Sequence, residues 1–86
     1  NWPAVLSTEA AVLYLGGREA RLYGLIAAGY LDPWHHAHRD TDFLRDDVDT
    51  ALKVAKLNGD DLEIPGNVRT VVAALRLRAS RNQPAA

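Results

Sequence analysis

The sequence predicts a mainly α domain of about four helices with one small β-hairpin. Three observations predict it. Apolar residues recur at helical spacing in four stretches, each opened by a capping candidate or closed by Gly or Asn. One polar, His-rich stretch carries apolar residues only at its two ends, as a hairpin does. At 86 residues, with 41 hydrophobic side chains of which 14 are Ala, the chain holds one small core and no second.

The first helix is expected over about Thr8–Leu15. Ser7 can accept from an unpaired amide of the first turn, Glu9 favours the positive end of the helix dipole, and Gly16-Gly17 ends the helix. Leu22, Leu25 and Ile26 then fall at i, i+3, i+4 spacing on a second helix that stops at Gly29. Two short helices joined by a Gly-containing turn form a helix-turn-helix pattern, in which the first supports the second against a DNA groove. Leu31 and Trp34 on one side of a polar centre, and Phe43 and Leu44 on the other, read as a hairpin wing. Asp46 is expected to cap the third helix, with Asp47 and Asp49 in its first turn and Val48, Ala51, Leu52 and Ala55 inward, up to Asn58-Gly59. After a linker at 60–66, Asn67 is expected to cap a fourth helix over Val68–Ser80 that buries Val68, Val71, Val72, Leu75 and Ala79. Residues 81–86 should fray.

The net charge of −1 conceals a lopsided layout. Asp40 to Glu63 holds eight acids against Arg45, Lys53 and Lys56, whereas Arg69, Arg76, Arg78 and Arg81 follow with no acid beside them. With no Cys there is neither a disulfide framework nor a thiolate metal site, and no apolar run is long enough for a membrane span. His36 and His38 would share a strand face, but without Cys or helical His spacing no metal and no cofactor are expected. Asp46, Asp47 and Asp49 are accounted for by capping and dipole effects. There is no Gly-rich phosphate loop after a strand and no activated nucleophile, so the expectation is a protein that binds rather than catalyses. The first residue is Asn, which reads as a fragment, and a cytoplasmic setting is the default.

Leu6, Ser7, Thr8, Glu9, Ala11, Tyr14, Leu15, Gly16, Leu22, Tyr23, Leu25, Ile26, Gly29 and Leu31, followed by Asp47-Val48, resemble the winged helix-turn-helix domains of the MerR and excisionase superfamily. The resemblance covers about residues 5–57. It implies a winged helix-turn-helix domain over 1–57; beyond the resemblance, 58–80 reads as a linker and a C-terminal helix that packs on this domain or mediates oligomerisation. It also implies a role in transcription regulation or site-specific recombination through occupancy of duplex DNA. The second helix would lie in the major groove and the hairpin against the backbone. Arg18 and Arg21 are then the candidates for base or phosphate contact, because a guanidinium stays charged and can donate two bonds to one acceptor group. Tyr23 would approach the sugar-phosphate backbone or fill the core. His35, His36, His38 and Arg39 would form the wing tip, or simply a polar hairpin. Arg45, Arg69, Arg76, Arg78 and Arg81 could add phosphate contacts or be solvated surface.

The chain also departs from that pattern. Gly17 and Arg18 replace Val-Ser, which removes the usual capping hydroxyl from the second helix. Glu19, Ala20, Gly24 and Ala27 stand where relatives often carry Arg or other polar residues. Leu13 and Tyr30 are apolar or aromatic where relatives are often charged, so part of this surface should be covered by the fourth helix or by a second protomer. Few basic residues remain for DNA, so specificity would require a homodimer, cooperative assembly or a protein partner. The alternative is a protein-interaction or oligomerisation module that keeps the scaffold after losing its DNA face.

Overall fold

The structure, a computed structural model, describes residues 1–36 and 39–83; of Arg39 and Asp40 only the backbone is described. Four helices, α1 (Thr8–Tyr14), α2 (Glu19–Ala27), α3 (Arg45–Leu57) and α4 (Val71–Arg81), accompany three short strands, β1 (Val5–Ser7), β2 (Trp34–His36) and β3 (Arg39–Leu44). The sheet is antiparallel in the order β1-β3-β2. The hairpin of β2 and β3 matches expectation, whereas β1 does not: three residues leave almost no alternation to read, and its pairing partner lies far along the chain.

Leu6 of β1 sits opposite Phe43 of β3, and both are fully buried. Onto this pair close Ala11 and Leu15 from α1, Leu22, Leu25 and Ile26 from α2, Val48, Ala51 and Ala55 from α3, and Ala74 from α4. Each of these residues falls on the inward side of its element by simple periodicity. Ser7 caps α1 as expected, accepting from the Ala10 amide at 3.1 Å. Gly16 and Gly17 both adopt left-handed backbone, φ +96° and +87°, which side-chain-bearing residues rarely do, and the chain turns there into α2. As the Gly17-Arg18 departure implies, α2 starts without a side-chain cap, at Arg18.

Three expectations are corrected. Asp46 does not cap α3: β3 runs directly into the helix, Leu44 holds the extended N-cap conformation, and Asp46 and Asp47 lie in the first turn, where their charge suits the dipole. The Arg45 amide is satisfied across the sheet by the Ala4 carbonyl at 2.9 Å. Asn67 does not cap α4 either; the Val68 amide turns back to Pro65, and Thr70 caps the helix by accepting from Ala73 at 3.0 Å. This start sets a different inward stripe. Ala74 is buried, Val71, Leu75 and Arg78 are half-buried, and Val72 and Ala79 are exposed. Arg81, expected in the frayed tail, ends the helix.

A candidate interaction face on α1 and α2

From Leu22 to Ala27 every residue of α2 is buried, including those on the side away from the sheet. The chain itself supplies the cover. The segment 60–64 crosses α2 at Gly24, where an added Cβ would stand 2.6 Å from the Leu62 carbonyl oxygen and 3.0 Å from the Leu62 Cβ. Only Gly permits this approach. Leu62 takes left-handed backbone, φ +59°, at a cost of about 1–2 kcal/mol. The Asp60 carboxylate holds the turn by accepting from the Leu62 amide at 2.9 Å, and Asp61 does the same for Glu63.

Helix α4 completes the cover. Arg78 donates from Nε to the Ile26 carbonyl at 2.8 Å, from Nη2 to the Leu31 carbonyl at 2.7 Å and from Nη1 to Asp32 at 2.6 Å. It thus satisfies the Leu31 carbonyl beyond α2 and adds a second donor to the Ile26 carbonyl, which the Gly29 amide already serves at 3.0 Å. Arg69 pairs with Glu19 at 3.0 Å, and Arg81 donates to the Glu63 carbonyl. The four departures on α2 divide between several neighbours. Glu19 holds Arg69, Gly24 packs on Leu62, Ala27 is buried, and Ala20, still exposed, lines a cavity together with Leu62.

The expected contact residues divide accordingly. Arg18 and Arg21 stay exposed at the open first turn of α2, lining a cavity of about 200 Å³ with Ala20, Asp61 and Leu62. Arg21 also donates to the Leu15 carbonyl, closing the end of α1. Tyr23 belongs to the core, and burial, with the Glu19 charge second, pushes its phenol above the ordinary tyrosine range. In the hairpin, His35 bonds the Thr41 hydroxyl at 3.0 Å and His36 bonds Asp42 at 2.9 Å, with the Trp34 ring beside it. His38 and the Arg39 side chain lie outside the described residues. Arg45 is half-buried and donates to the Trp2 carbonyl. Arg76 is exposed, with no partner among the described residues.

A second face is open. Along the other side of α1, Thr8, Glu9, Val12 and Leu13 with Glu19 and Tyr23 line a largely apolar trough of about 330 Å³. It adjoins a cavity bounded by Ser7, Thr8, Glu9, Thr41 and Val71. The Tyr14 hydroxyl, donating to Asp49 at 2.6 Å, fixes α1 to α3, and that bond raises its pKa. Arg78, expected as a phosphate contact or a solvated cation, is instead half-buried and bonded to the Ile26 and Leu31 carbonyls, a role sequence reasoning missed. An arginine in an amphipathic helix looks like any solvated cation until the carbonyls it serves, 47 and 52 residues away, are known.

Among the described residues no group of three or more metal-capable side chains gathers, and no helix is long and apolar enough to cross a membrane. Comparison with protein-family models, curated proteins and solved structures finds no match.

Proposed function

We propose that this chain is a protein-interaction or self-assembly module on a winged-helix-like scaffold, acting by binding rather than by chemistry. The observation that carries this reading is the occupied outer side of α2: along the stripe of Ala20, Gly24 and Ala27, Leu62 is packed on Gly24 and Ala27 is buried, with Ala20 exposed at the open first turn. A helix that reads DNA must enter a groove about 8.5 Å deep and present long polar side chains to base edges. Here that stripe offers no such side chain, and the segment over it would have to leave first. Glu19, the remaining candidate beside the stripe, is committed to Arg69.

The second reading is a DNA-binding protein of excisionase or MerR-like type, in transcription regulation or recombination. It is favoured by Arg18 and Arg21, which stand exposed at the open end of α2. A fluorescence titration with mixed-sequence duplex at low and moderate salt separates the two. The module reading predicts no salt-dependent binding. Salt-dependent binding that Arg21→Glu abolishes while the fold persists would replace it with the DNA reading.

A further inference from the structure

Leu13 and Tyr30 were both expected to be covered, and the structure treats them differently. The Tyr30 hydroxyl donates to Asp60 at 3.0 Å and accepts from Asn58 at 3.1 Å, so the chain covers it with its own segment. Leu13 remains 64% exposed at the rim of the apolar trough of α1 and α2. The carboxylates of Glu9 and Glu19 flank this trough; Glu19 is already paired, and Glu9 has no side-chain partner among the described residues.

Side chains of complementary chemistry lie on the same molecule. On α4, Val72 is 54% exposed and Arg76, one turn on, is exposed beside it, so the outward stripe presents an apolar side chain next to a guanidinium. The start of α4 borders the trough: Arg69 pairs with Glu19, and Val71 lines the adjoining cavity together with Glu9. In a two-fold pair the ridge of each copy would stand opposite the trough of the other. That is the self-complementary arrangement a closed homodimer requires.

We propose that the α1–α2 trough is a self-association site that receives Val72 and Arg76 from α4 of a second copy, with Arg76 meeting Glu9. This rests on the reading of the chain as an interaction module. Val72 would fill the space beside Val12 and Leu13, and the ion pair would set the register more than the affinity. The interface is small, so exchange between monomer and dimer falls within the micromolar to millimolar range.

The test is sedimentation equilibrium of the 86-residue chain across that range, with circular dichroism to verify each fold. The wild type is expected to move from 9.4 kDa toward twice that mass. Leu13→Asp and Val72→Asp, both at exposed positions, should each weaken association at least about tenfold. Glu9→Arg and Arg76→Glu should weaken it singly, and the double variant should restore it. A monomer at every concentration, or a dimer indifferent to both Leu13→Asp and Val72→Asp, overturns the proposal. A monomer that also ignores DNA leaves the module reading standing with a different partner, whereas salt-dependent DNA binding removes that reading itself.

Discussion

The outer sides of α1 and α2 lie next to each other and differ in how they are finished. On α2 the side chains shrink to Ala20, Gly24 and Ala27, and the chain lays its own segment across Gly24. On α1 the side chain stays large, Leu13, and no described residue covers it. Closing a helix face from within requires room for another backbone, which small residues supply; a face meant for a separate molecule keeps apolar bulk to bury. On the proposed reading, the difference separates a structural surface from a functional one.

Gly24→Leu should do the most damage, because its side chain must enter space held by the Leu62 backbone. Denaturant unfolding is expected to show a loss of about 3 kcal/mol, at the top of the range for overpacked cores. An unchanged midpoint would mean that the cover gives way freely, and the contrast with α1 would collapse. Arg78→Met keeps the aliphatic stem but strips the Leu31 carbonyl of its side-chain donor and leaves the Ile26 carbonyl with the Gly29 amide alone; about 2 kcal/mol should be lost. Thr70→Ala removes the cap of α4 and should cost about 1 kcal/mol, with amide exchange rising first in α4 and then in α2.

The tyrosines report on how the two helices are anchored. Tyr14 is raised by its bond to Asp49 and Tyr23 chiefly by burial, so both hold their protons more tightly when folded than when unfolded. The stabilisation is complete below the ordinary tyrosine pKa of about 10 and disappears as pH rises through the higher folded values. Thermal melts should fall on that alkaline side, and Tyr14→Phe should flatten part of the fall. Leu13→Asp is expected to change monomer stability least, within about 0.5 kcal/mol, as fits a side chain with little to lose inside its own fold.

Much of the fold was legible in the sequence. Ser7, the paired glycines and the Leu22, Leu25, Ile26 stripe specify α1, the turn and α2 locally, and Val48, Ala51 and Ala55 do the same for α3. Strand β1 was not, since three residues carry no usable period. The start of α4 was misplaced because Asn67 and Thr70 are both capable caps, and only packing against α2 selects between them. At the candidate site, the departures at Glu19, Ala20, Gly24 and Ala27 were visible as missing polar residues. That they form a seat for Leu62 and Arg69 depends on contacts 38 to 50 residues apart, beyond the reach of local pattern.

The central claim, that α2 is closed by the chain itself, is tested most directly by proton–proton proximity in solution. Nuclear Overhauser spectra of the free chain should show strong cross-peaks between the Gly24 α-protons and the Leu62 side chain, together with slow amide exchange from Leu22 to Ala27. Absent cross-peaks with rapid exchange along that stretch would mean an open helix face, contradicting closure of α2 by the segment around Leu62.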